Sequence, residues 1–192
     1  MRQTKLLVVL IGLLLSSPAL STSIGGVEIP EQVRLPDLEP ALVLNGAGIR
    51  KKFFISVYVG ALYLPTRQTD VQELLMTPTA NRVLMHFVYS RVAKRKMDDA
   101  WRKGFENNLT AAQHVDVKER LEHFVAMFGD MHEGDQVWLD YVPGSGTRVS
   151  INGVLQGTIA GADFNAALLA VWLGRYPVSE SLKNAMVGVD NS

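Results

Sequence analysis

Two glycine-bearing runs, Gly144-Ser145-Gly146 and Asn45-Gly46-Ala47-Gly48, come nearest to the spacing of a catalytic or nucleotide-binding motif, and neither completes one. A serine nucleophile elbow needs Gly-x-Ser-x-Gly on a strand-to-helix turn. Gly144 to Gly146 lacks that spacing and follows Pro143, which reads as hairpin-turn chemistry. A dinucleotide fingerprint needs a longer glycine pattern opening a helix. No helical pattern follows Gly48, so these glycines suit a kinked strand or the close approach of another group to the backbone. His86, His114, His123 and His132 share no metal-ligand spacing within a helix, and Glu119 with His123 reads as ordinary helix-face pairing. No metal and no cofactor are expected, and without cysteine there is neither thiol catalysis nor a disulfide framework. Arg91, Lys94, Arg95, Lys96, Arg102 and Lys103, interrupted by Asp98 and Asp99, read first as the wet face of an amphipathic helix and second as an anion-facing rim. Asn108-Leu109-Thr110 carries a glycosylation pattern at a helix end.

The N-terminus sets the compartment. Arg2 and Lys5 precede an apolar stretch from Leu6 to Leu15. Ser16-Ser17-Pro18 then break it, and Ala19-Leu20-Ser21 places small residues where a signal peptidase reads. A membrane span needs about 20 apolar residues. The expected organisation is a signal peptide over 1–21 and one domain over 22–192, periplasmic or secreted, with no stable membrane insertion. Once Arg2 and Lys5 are removed, 17 basic residues face 19 acidic ones, a balance with no electrostatic footprint for nucleic acid. A monomer is expected.

Elements follow from periodicity. Val27-Glu28-Ile29 suits an edge strand. Leu42 to Ile49 leads through a basic turn, Arg50-Lys51-Lys52, into a long strand from Phe53 to Leu64, and the pair forms a hairpin. Val71 to Met76 is a short helical turn, and Arg82 to Tyr89 alternates as a strand. Met97, Trp101, Phe105 and Leu109 recur every four residues on a helix over 94–109. A second helix is expected to start at Asp116, with Glu119 completing a capping-box-like pair, and to end at Gly129. Gln136 to Val142, Thr147 to Ile151 and Val154 to Ile159 form a meander, the last turn marked by Asn152-Gly153. Asp163 caps a helix ending at Leu173, and a short helix starts at Ser179. This order predicts an α+β fold, an open-faced antiparallel β-sheet with helices packed on one face.

Two clusters of residues resemble a known family. Leu44-Asn45-Gly46-Ala47-Gly48-Ile49-Arg50, then Lys52-Phe53 and Val57-Tyr58-Val59-Gly60-Ala61-Leu62-Tyr63-Leu64, is similar to the chalcone isomerase pattern of a Gly-x-Gly-x-Arg strand followed by a Gly-x-x-Tyr-Leu strand. Phe164-Asn165-Ala166-Ala167-Leu168-Leu169, Gly174, and Pro177-Val178-Ser179 with Lys183 resemble its closing helix pair. The nearest likeness is to a bacterial exported, chalcone isomerase-like branch. The resemblance implies the open-faced sheet with its helices. In the plant isomerase an arginine, a threonine, a tyrosine, an asparagine and a late hydroxyl stabilise charge while the substrate's own phenolate attacks. Here Arg50 matches the arginine, Val57 falls at the threonine position, and the late hydroxyl falls near Asn165 or Ala166. Anchoring on Lys52-Phe53 instead places Asn45 opposite the family arginine and Arg50 at the hairpin tip.

The noncatalytic branch of that superfamily binds fatty acids through the arginine. The resemblance therefore implies an exported protein holding a fatty-acid-like amphiphile in an apolar cleft with a cationic end, Arg50, helped by Tyr58 or Tyr63. The first alternative is a chalcone isomerase-type intramolecular lyase, which needs hydroxyl and amide groups around the arginine. The second is an interaction or scaffold protein without a small ligand, with its cleft filled by Phe54, Trp101 and Phe105.

Overall fold

The structure, a computed structural model, describes residues 20–36 and 38–189. The expected signal peptide therefore lies outside the described residues except for Leu20 and Ser21. The strands are β1 (Ser21–Ile24), β2 (Val27–Pro30), β3 (Gln32–Val33), β4 (Leu42–Lys52), β5 (Ile55–Leu64), β6 (Asn81–Phe87), β7 (Arg91–Val92), β8 (Met131–His132), β9 (Gln136–Val142), β10 (Gly146–Ile151) and β11 (Val154–Ile159). The helices are α1 (Val71–Met76), α2 (Lys94–Asn108), α3 (Ala111–Ala126), α4 (Ala162–Leu173) and α5 (Glu180–Met186).

Seven strands form one antiparallel sheet in the order β11-β10-β9-β6-β5-β4-β3. Strand side chains alternate between faces, and the sequence of β5 uses both. Tyr58, Leu62 and Leu64 join the core beneath the helices, against Trp101 and Phe105 of α2, Phe124 of α3 and Trp172 of α4. Val59, Ala61 and Tyr63 point the other way, into a second cluster with Val27 and Ile29 of β2 and with Leu35. The α+β expectation holds, with helices on one face. Part of the opposite face is covered by the β1–β2 ribbon, because the apolar positions Val27 and Ile29 of β2 need burial.

Beyond shifts of a few residues at element ends, three features differ from the sequence reading. The turn between β4 and β5 is Phe53-Phe54, and the basic residues Arg50, Lys51 and Lys52 end β4. Helix α3 starts at Ala111, where Thr110 and Gln113 make a reciprocal capping box. Asp116 lies inside this helix, because Thr110 satisfies the first amides one and a half turns earlier. Helix α4 follows Gly161 with no side-chain cap; Asp163 lies in its first turn, where its carboxylate takes Arg120 at 2.5 Å.

The glycines of β4 serve close approach. A Cβ on Gly48 would sit 2.6 Å from Ala185 Cβ, and one on Gly46 would overlap Ala185 O, so α5 rests directly on the strand. The sheet floor beneath the helices is thus set by what β4 lacks.

Candidate functional site

Arg50 and Tyr58 are direct cross-strand partners on β4 and β5, and Tyr58 is paired in turn with Phe87 on β6. Residues opposite each other on an antiparallel pair share a face, so the guanidinium, the phenol and the phenyl ring all stand beneath the helices. The Arg50 guanidinium lies 5.9 Å from the centre of the Tyr58 ring. Trp172 of α4 donates its indole N–H to the Tyr58 hydroxyl at 2.9 Å. Because the phenol oxygen accepts that bond, its own hydrogen remains to be donated elsewhere. Burial pushes the Tyr58 hydroxyl up to about 12, against the opposing pull of Arg50 and of the Trp172 bond. Tyr58 is therefore a neutral donor at physiological pH, beside a cation.

These groups form one wall of a cavity of about 490 Å³ between the β4–β5 hairpin and helices α2 and α4. That volume falls within the roughly 300–1,000 Å³ of small-molecule sites. The rest of the lining is largely apolar: Met85 and Phe87 from the sheet, Met97 and Trp101 from α2, Val171 from α4, and Val178. Lys52, Arg91 and Lys96 add positive charge, and among the described residues no carboxylate lines it. Arg91 is paired with Asp130 at 2.6 Å, whereas no ion pair among the described residues engages Arg50, Lys52 or Lys96. The basic stretch of α2 is thus divided. Lys96 faces the cavity, while Lys94 and Arg102 pair with Asp98 and Glu122.

Val57 also lines the cavity, for a local reason. The register skips between Arg50–Tyr58 and Lys51–Ser56, which leaves Val57 as the extra residue of a bulge. Bulges re-aim side chains, so adjacent residues Val57 and Tyr58 both reach the same space. At the threonine position inferred from the resemblance, the wall is a methyl surface.

Asn45, Tyr63 and Asn165 stand outside this cavity, which corrects the expectation that one cleft gathers them with Arg50. Asn45 occupies a bulge at the far end of β4. It donates to Met186 O at 2.8 Å and Gln68 O at 2.9 Å, and accepts from Gln68 N at 2.7 Å. It fastens α5 and the loop before α1 to the sheet. Tyr63, an odd number of residues from Tyr58, points to the opposite face and lines a separate space of about 160 Å³ with Arg82 and Trp138. Asn165 lies against α1, near Leu74 and Pro78. Strand parity alone separates Tyr58 from Tyr63 in the sequence. Lys96 lies in the basic stretch and Met97 in the four-residue apolar period of α2, whereas Trp172 carries no local motif and joins the site only through helix packing.

Among solved structures, that of a fatty-acid binding protein from Arabidopsis thaliana is similar to this one, with a TM-score of 0.71 at 16% sequence identity. The likeness covers 88% of this chain and 95% of that one, and at such identity it concerns the fold. No curated protein sequence matches the chain. The family model described as chalcone isomerase-like matches residues 21–188. This chain belongs to the chalcone isomerase-like family.

Proposed function

We propose that the protein binds a fatty-acid-like amphiphile, its carboxylate received by Arg50 and the Tyr58 hydroxyl and its tail lying along Met85, Phe87, Met97 and Val171. The observation that carries this reading is the cross-strand pairing of a guanidinium with a neutral phenol donor in a largely apolar cavity that no carboxylate lines among the described residues. A carboxylate satisfies both donors, and each tail methylene buried contributes about 0.8 kcal/mol. The fold shared with a plant fatty-acid binding protein supports the same reading. Val57 offers shape to the tail and no hydrogen bond.

Support for an intramolecular lyase is weaker, because among the described residues neither threonine nor asparagine lines the cavity beside Arg50. The scaffold alternative would be favoured by a cleft filled by Phe54, Trp101 and Phe105. Phe54 is fully exposed, Phe105 is packed in the core, and the cavity remains open. Export belongs to this proposal through the charged head, short apolar stretch and small-residue exit of residues 1–21, with a mature start near Thr22. Intact-mass measurement of exported material checks that start, and retention of Met1 contradicts it.

A charge-assisted hydrogen bond contributes about 1.5–3 kcal/mol. Arg50→Ala should therefore weaken long-chain fatty-acid binding roughly 10- to 150-fold by calorimetric titration. Native mass spectrometry of gently purified protein should show a copurifying acid that Arg50→Ala loses. Undiminished affinity in that variant would remove Arg50 from the site.

A further inference from the structure

The turn that closes the β4–β5 hairpin is built from the wrong residues for a turn. Two-residue hairpin loops favour Asn-Gly, and the same chain uses that pair at Asn152-Gly153, where φ is 51° and 78°. At the cavity mouth the loop is Phe53-Phe54, and Phe53 takes a φ of 56°, a region that a bulky side chain enters only at a cost. Neither ring is repaid by burial: Phe53 is 87% exposed and Phe54 100%, and Ile55 beside them is 48% exposed. The residues flanking this apolar tip are cationic, Lys51 and Lys52 on the strand with Lys96 across the opening, and none has an ion pair among the described residues.

We infer that this tip docks on an anionic phospholipid surface, with Phe53 and Phe54 entering the headgroup region while Lys51, Lys52 and Lys96 meet the phosphates. Exposed aromatic rings ringed by cations match such an interface in both chemistry and charge. The tip is continuous with the cavity, since Lys52, Phe53 and Ile55 belong to both. An amphiphile leaving the bilayer at the tip would enter the cavity without crossing water. The inference rests on the fatty-acid reading for its purpose, and its own evidence is the composition of the tip.

The test uses the mature chain and two variants outside the cavity lining, Phe54→Ser and Lys51→Gln, in co-sedimentation with vesicles of phosphatidylcholine alone or mixed with phosphatidylglycerol. The wild type should bind the mixed vesicles and release them at high salt. Phe54→Ser should lower partitioning at least about tenfold, and Lys51→Gln about fivefold. Both variants should keep the wild-type melting temperature and fatty-acid affinity in solution. Absence of vesicle binding, equal binding by Phe54→Ser, or equal binding to uncharged vesicles would overturn the docking surface, even if fatty acid still binds in solution. So would self-association of the wild type that Phe54→Ser abolishes, in place of vesicle binding, because the tip would then face a second copy. Vesicle binding with the expected variant pattern upholds the surface even if the fatty-acid titration fails.

Discussion

Burial pushes the Tyr58 hydroxyl up from its ordinary value of 10.0 to about 12, so it stays a protonated donor beside Arg50 through the neutral and mildly alkaline range. Affinity for a fatty acid should be level between about pH 6 and 9 and should fall below about 4–5, where the ligand's own carboxyl group takes up a proton. Tyr58→Phe removes one neutral donor, worth about 1 kcal/mol or fivefold in affinity, and leaves the Trp172 N–H without its acceptor. A variant binding as tightly as the wild type would take the hydroxyl out of the site. The same shift has a stability consequence. The folded state holds the Tyr58 proton more firmly than the unfolded chain does. Its contribution is complete below the ordinary value of 10.0 and is lost as pH rises through about 12. Urea midpoints measured across that window should fall less steeply in Tyr58→Phe, with Tyr63, also pushed up to about 12, retaining part of the slope.

At the level of elements, β4 carries two tasks at its two ends. Arg50 faces the cavity, while Asn45 and Gly46 seat α5. Asn45→Ala should destabilise the fold by about 1–3 kcal/mol, because Met186 O and both Gln68 backbone groups lose their partner, and should leave fatty-acid affinity near the wild-type value. Denaturant titration and calorimetry on this one variant separate seating from binding. A large affinity loss without destabilisation would return Asn45 to the site. Much of this was legible beforehand: the strict alternation of Gln136 to Val142 gave β9, Asn152-Gly153 gave its neighbour's turn, and Val71 to Met76 gave α1. The hairpin tip was not, because turn chemistry points to polar or glycine residues and Phe53-Phe54 breaks that rule. Thr110 does not stand out as a cap because Ala111 to His114 show no apolar stripe, so the helix begins before its hydrophobic period does. The bulge at Val57 leaves no mark in the sequence, so the choice of Tyr58 over Tyr63 as the direct cross-strand partner of Arg50 comes from the register.

Across the whole molecule the sheet separates its functions by face. The helix face holds the cavity, and the opposite face holds a buried pair in which Arg82 contacts both Asp140 oxygens, at 2.5 and 2.7 Å, joining β6 to β9 beneath Trp138. Asp140→Ala strands a buried guanidinium and should cost about 3–5 kcal/mol by chemical denaturation, with the cavity face chemically unchanged. Family membership carries the architecture and leaves the chemistry to the wall of the cavity, where Val57 provides no donor for a developing charge. A chalcone followed by absorbance should cyclise no faster with the protein than without it, and a stereoselective acceleration would favour the lyase. The central claim is that Arg50 reads a carboxylate at one end of an apolar cavity. Calorimetric titration of the wild type and Arg50→Ala, each with a long-chain fatty acid and with its methyl ester, tests this most directly. The acid should lose roughly 10- to 150-fold on Arg50→Ala while the ester, which binds more weakly to begin with, changes little. Equal losses for acid and ester, or no binding of either to the wild type, would contradict it.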